Sequence, residues 1–150
     1  MSYPNFSSGT VYMFDCCCEG RKIIKFDGTK NEWLNQDEHF VGDKEKHPFM
    51  VISSTEKNSK NNYITAIPIT TFSKFHNPSK NDLRIESEMV DKKALVLVNN
   101  GSHLKLDKIN RIAKKYLTIT NGDYDYRGSF QSNALKSILE RMKNAIQSTE

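Results

Sequence analysis

Thr70, Thr71, Ser73 and Lys74 stand close together just where an apolar stretch, residues 63–69, comes to an end. With Ile64, Ile67 and Ile69 that stretch has the composition of a β-strand, so three hydroxyls and a cation collect at a strand end and suggest a site for a polar substrate. The plainer reading of Thr70 and Thr71 is that β-branched residues favour strands. A second compact apolar run, residues 49–53, is entered through His47 and Pro48. His47 is either an imidazole poised to titrate near ~6.5 or an exposed residue at a loop end. Lys105 and Asp107 alternate with Leu104 and Leu106, the pattern of a strand with one solvated face. Lys44, Lys46, Lys57, Lys60 and Lys74 form a phosphate-tracking patch if their loops converge, and an ordinary lysine-rich surface if they do not. His39, His76 and His103 show no usable spacing.

These residues need a scaffold, and 150 residues suit one domain with a single core. The apolar fraction of 37% and the charged fraction of 27% are ordinary for a globular chain. The apolar runs are too short to cross a bilayer and the N-terminus has no basic start or apolar core of a signal peptide, so a cytoplasmic protein with no membrane partner is expected. A net charge of +4 is compatible with a polyanionic partner without requiring one. Cys16, Cys17 and Cys18 are consecutive and lack further ligands at zinc spacing, which leads us to expect unpaired thiols, no metal and no cofactor.

Short strands dominate most of the chain. Residues 9–14 and 22–26 read as two strands, joined by a hairpin through Glu19 and Gly20. Residues 27–46 are polar and read as a long loop or flap, and residues 54–62 as a loop between the two apolar runs. Residues 83–85 suit a short strand and residues 94–98 a buried one, followed by a tight turn at Asn99, Asn100 and Gly101. Residues 103–113 form a strand that bends or bulges midway. Leu135, Ile138, Leu139, Met142 and Ile146 then recur at helical spacing, predicting a helix over 132–147 with Ser132 as N-cap.

Three motifs resemble the MazF/PemK family of toxin ribonucleases. The first is a basic residue and Pro before an apolar strand closing on Ser, here His47 and Pro48 through Ser53. Its counterpart strand ends in Ile-Thr-Ser or a near variant, here Ile67, Pro68, Ile69, Thr70 and Thr71. A late strand carries Asp107, Lys108, Ile109, Asn110, Arg111 and Ile112, and Gly128, Ser129 and Phe130 precede a terminal helix as they do in the family. The resemblance implies a mostly β fold, a small SH3-like barrel with a C-terminal helix, in a homodimer.

It also implies a toxin of a type II toxin–antitoxin pair that cuts single-stranded mRNA without metal and is held inactive by a cognate antitoxin. Ribonucleases of this kind use the 2′-hydroxyl of the RNA as nucleophile, so the protein supplies a base, an acid and positive charge. By resemblance Thr70 contacts the scissile phosphate, His47 takes the place of the family's catalytic Arg, Asp107 is the late acidic residue, and Lys105 stands where some members place an Arg. Lys46, Ser53, Thr71, Ser73 and Lys74, in or beside these motifs, are the expected substrate contacts. Two alternatives stay open: a non-catalytic binding module of the same fold, and a toxin that poisons DNA gyrase.

Overall fold

The structure, a computed structural model, describes residues 3–15, 21–22, 25–27, 32–34, 46–71 and 80–147. In chain order, β1 (Thr10–Asp15), β2 (Arg21–Lys22), β3 (Lys25–Asp27), β4 (Glu32–Leu34) and β5 (Lys46–Val51) lead to a short helix, α1 (Thr55–Lys60). After it come β6 (Tyr63–Thr71), β7 (Asp82–Arg84), 3-10 turns at Ser87–Met89 and Lys92–Ala94, and α2 (Leu95–Asn99). The chain finishes with β8 (Ser102–Lys105), β9 (Lys108–Ala113), a 3-10 turn at Lys114–Tyr116, β10 (Ile119–Thr120), β11 (Asp123–Tyr124), β12 (Tyr126–Ser129) and α3 (Ser132–Gln147).

One antiparallel sheet runs β12-β1-β5-β6-β8-β7, with β9 beside the first half of β6 and β2 beside β9. Alternation along each strand gives the sheet two apolar faces, and both are covered. On one face Val11, Met50, Ile67, Ile69, Leu104 and Ile109 pack with Ile138 and Met142 of α3 and with Leu97 of α2. On the other, Tyr12, Phe14, Phe49, Val51, Ile64, Ala66 and Ile112 enclose Phe6 and Leu117. The expected mostly β architecture with a C-terminal helix is what the chain adopts.

Several local expectations are corrected. Residues 54–62 hold α1 instead of an open loop. Ser54 caps it by accepting from the Lys57 amide, Glu56 pairs with Lys60 at 3.0 Å, and Asn58 is buried with its amide donating to the Phe6 and Ser53 carbonyls. Residues 94–98 are helical, not a strand. An apolar run of this length has no period that separates the two, and the Asp91 carboxylate accepting from the Ala94 amide starts the turn. Strand β1 pairs β5 and β12 while β2 pairs β9, so the hairpin expected between the first two strands is not made. The Gln131 carbonyl accepts from the Leu135 amide, which puts the N-cap of α3 at Gln131 and not Ser132. Within 27–46, β4 pairs with β3. The rest of that flap, apart from Lys46, and Cys16, Cys17 and Cys18 lie outside the described residues.

Gly128 holds β12 against the turn that precedes α2. Its φ is +108°, and a Cβ there would sit 2.6 Å from the Ala94 backbone nitrogen and 2.8 Å from Asp91 Oδ1. Gly122, at φ +80°, has open space around it. Gly128→Ala should therefore lower stability by about 2–4 kcal/mol in chemical denaturation, through strain and overpacking together. Gly122→Ala should cost only about 1–2 kcal/mol, the left-handed penalty alone.

Candidate active site

Register brings residues from distant parts of the sequence into one row. His47 on β5 is the Cα partner of Phe14, and Thr70 on β6 is the partner of His103 on β8, which in turn pairs Arg84 on β7. The ladder between β5 and β6 runs Val51↔Ala66, Met50↔Ile67 and Phe49↔Pro68. The ladder ends there, and alternation from Phe49 and Pro68 puts His47 and Thr70 on the same face of these neighbouring strands. Residues directly opposite share a face, so Phe14, His47, Thr70, His103 and Arg84 form a cross-strand row. It lies at one end of the face that carries the aromatic core. The His47 ring meets Phe49 edge to face at a centroid distance of 5.5 Å, and both His47 and Thr70 are half-buried.

Lys105 belongs to the next row on the same face. Its Nζ is 3.0 Å from Asp82 Oδ2 across β7 and β8, with the Asp82 side chain 2% exposed and that of Lys105 16%. Asp107 lies further on. It occupies an irregularity in which Ile67 and Pro68 of β6 face five residues of the partner, Lys105 to Ile109, and it accepts from the Asn81 side chain at 3.3 Å. The single strand expected over residues 103–113 is instead divided by a turn at Leu106 and Asp107 into β8 and β9.

The expected substrate contacts divide. The Lys46 side chain is exposed beside the row, near the Asp125 carboxylate. The Arg127 guanidinium, with Nε 2.6 Å from Oδ1, holds Asp125 below the usual carboxylate range, and the Thr120 hydroxyl and the charge of Lys46 act in the same direction. Thr71 continues β6 next to Ser102. Ser53 sits at the opposite end of the β5/β6 pair from His47. Its hydroxyl donates to Asn58 Oδ1 at 2.5 Å and accepts from the Thr65 amide at 3.0 Å, bonds that tie α1 to the sheet. Ser73 and Lys74 lie outside the described residues.

The row also contains two residues that spacing did not single out, His103 and Arg84. Only pairing between β7 and β8, distant from the motif in sequence, reveals them. The His103 Nδ1 is 3.0 Å from the Gly101 carbonyl oxygen, and since a carbonyl can only accept, Nδ1 carries the proton and donates. Asn110, buried on the same face beside Ala66, has neither amide atom hydrogen-bonded. Among the described residues no group of three or more His, Cys, Asp or Glu side chains is placed to hold a metal ion. No described helix is long and apolar enough to cross a membrane.

The family model for PemK-like, MazF-like toxins of type II toxin–antitoxin systems matches residues 33–146. The chain belongs to this family. Among solved structures it resembles an endoribonuclease from a mycobacterial species, with a TM-score of 0.58 at 14% identity, over 98% of this chain and 96% of that one. An endoribonuclease in complex with its cognate antitoxin, also mycobacterial, aligns with a TM-score of 0.56 at 14% identity, over 97% of each chain. MazF from Deinococcus radiodurans aligns with a TM-score of 0.52 at 9% identity, over 98% of this chain and 99% of that one. At such identities these likenesses establish the shared fold. No curated protein matches the sequence.

The Lys105–Asp82 pair separates a structural role from a substrate role. Lys105→Met breaks the ion pair with the buried Asp82 carboxylate, so it should lower stability by about 3–5 kcal/mol. Combining it with Asp82→Asn should recover most of that loss, read as the denaturation midpoint of the two single variants and the double variant. A Lys105 that served only the substrate would leave the midpoint unchanged.

Proposed function

We propose that this MazF/PemK family member is a metal-independent, sequence-specific endoribonuclease. In this reading it cuts single-stranded mRNA in the cytoplasm, works as a homodimer and is silenced by a cognate antitoxin. The observation that carries the reading is the meeting of His47 and Thr70. They come from two separate motifs, and alternation from the paired Phe49 and Pro68 supports their lying on one face of the neighbouring strands β5 and β6. The resemblance to an endoribonuclease, and to one bound to its antitoxin, supports it.

Single-stranded RNA laid across the row would present a phosphate to the Thr70 hydroxyl, a donor that can follow charge as it develops on the phosphorane. His47 stands where the family has Arg. An arginine is cationic at every working pH and grips phosphate with a fork of donors, whereas a neutral imidazole can accept the 2′-hydroxyl proton. His47 is accordingly the base, with Lys46 supplying positive charge at the edge. Lys105 and Asp107 are supporting residues, the first through its ion pair with Asp82 and the second from the bulge.

Incubation with mixed-sequence RNA in EDTA tests the proposal, and cleavage is the expected result. Thr70→Ala should lower the rate roughly ten- to a thousandfold, the range for one transition-state contact, with little change in stability. If His47 is the base, the wild-type rate falls as the imidazole is protonated below pH ~6.5, and His47→Ala removes that acid limb. Equal rates for wild type and His47→Ala across pH 5 to 9 would exclude a catalytic role for His47. If only His47→Arg cuts, the chain is a lapsed ribonuclease and the binding-module reading stands in its place.

A further inference from the structure

We infer that a cavity between the N-terminal segment and α1 holds one nucleotide of the RNA strand, away from the row, an inference that rests on the ribonuclease reading above for the path of that strand. The cavity measures about 230 Å³ and is walled by residues 3–6, by Thr55, Asn58 and Ser59 of α1, and by Lys114 of the turn after β9. Phe6 and Asn58 are its buried wall. The Asn58 amide donates to the Phe6 and Ser53 carbonyls, each at 3.0 Å, so the N-terminal segment is bonded to α1 and the cavity is preformed. Its volume far exceeds the ~10–15 Å³ that one bound water requires and falls below the ~300–1,000 Å³ of pockets that enclose a whole small-molecule ligand. The size suits one unit of a longer molecule.

The groups around the cavity match the parts of a nucleotide. Lys114 Nζ lies 6.0 Å from the Phe6 ring centroid, and among the described residues no carboxylate pairs with it or lines the cavity, which leaves the ammonium to a phosphate. The Ser59 hydroxyl donates its proton to the Glu56 carbonyl, 2.8 Å away. It therefore meets a ligand as an acceptor, the partner that a ribose 2′-hydroxyl or a base amino group needs. The Thr55 hydroxyl can play either part. Tyr3 is 45% exposed and is steadied by the Tyr124 ring at 6.1 Å, so it offers an aromatic face on which a base can stack. An acidic peptide would use the cation and leave the acceptor and the ring unmatched, whereas a nucleotide uses all three.

The cavity stands at the α1 end of the aromatic face, and the row at the other end. Ser53, just before α1, lies six residues beyond His47, which is about 20 Å of extended chain. At ~3.4 Å per base, a strand covers that distance with on the order of six nucleotides.

Binding of a fluorescein-labelled single-stranded RNA of about twelve nucleotides to the slow-cutting Thr70→Ala protein tests the inference. Adding Lys114→Met, which keeps the side-chain stem on Phe6, should weaken binding about ten- to hundredfold and make the slope of log affinity against log salt shallower by about 0.7. Adding Tyr3→Ala should weaken it about five- to hundredfold, while Lys136→Met, an exposed lysine of α3, changes neither quantity. In the wild-type background Lys114→Met should raise KM for RNA cleavage and leave kcat unchanged. Strand affinity that ignores both cavity substitutions would overturn the inference, and the ribonuclease reading would stand if the wild type still cuts. If those substitutions weaken only an oligo-glutamate peptide, the occupant is an acidic protein segment and the inference fails. A free 5′-mononucleotide that binds as tightly as the strand would also overturn it, by making the cavity a site for the free nucleotide. Loss of strand affinity in a protein whose wild type cuts no RNA would support the cavity and overturn the ribonuclease reading. Tyr3→Ala, at an exposed residue, keeps the test decisive should Lys114→Met fail to fold.

Discussion

Pro68 is the constraint around which the sheet is arranged. It lies within the central strand β6, buried on the aromatic face, and a proline there has no N–H to give to a neighbouring strand. The Ile52 amide donates to the Thr65 carbonyl at 2.8 Å, so Thr65 and, by alternation, Ile67 turn their polar backbone groups toward β5. Pro68 therefore turns toward the other neighbour, and it does so where that neighbour bulges between Lys105 and Ile109. The missing donor falls at the break in the ladder, and no regular ladder bond is lost on its account. On either side of the break, β8 and β9 share one edge of β6, and the discontinuity frees β8 to pair with β7 while β9 pairs with β2.

The two faces of this sheet then serve different ends. Against one, the amphipathic α3 and the short α2 bury an aliphatic core in which Leu104, Ile138 and Met142 are almost wholly enclosed. The other carries an aromatic cluster around Phe6, Phe14 and Phe49 that stops short of the sheet's far strands. Beyond it the same face becomes polar, through His47, Thr70, His103 and Arg84 in one row and Lys105 with Asp82 in the next. Phe14 and Phe49 border His47 on the core side, so the His47 end of the row is anchored to the packed part of the molecule. Positive charge gathers at both margins, Lys46 at one and Arg84 at the other, and the low-lying Asp125 carboxylate tempers the first.

Local pattern determined a good part of this protein. The strands at residues 49–53 and 63–69 and the terminal helix were all legible, because alternation and helical spacing report burial that each element achieves on its own. Family resemblance named Thr70 and His47 as candidates for the same reason, since each lies in a short contiguous motif. Where local signals were ambiguous the tertiary structure decided. Residues 94–98 became helical because the Asp91 carboxylate nucleates a turn and Gly128 lets it pack closely on β12, and residues 54–62 became helical because Ser54 caps and Asn58 is buried. His103 and Arg84 had no signal in sequence. Their place beside Thr70 exists only through long-range strand register, which is set by burial of both sheet faces and by the bulge opposite Pro68, and register of that kind has no local code.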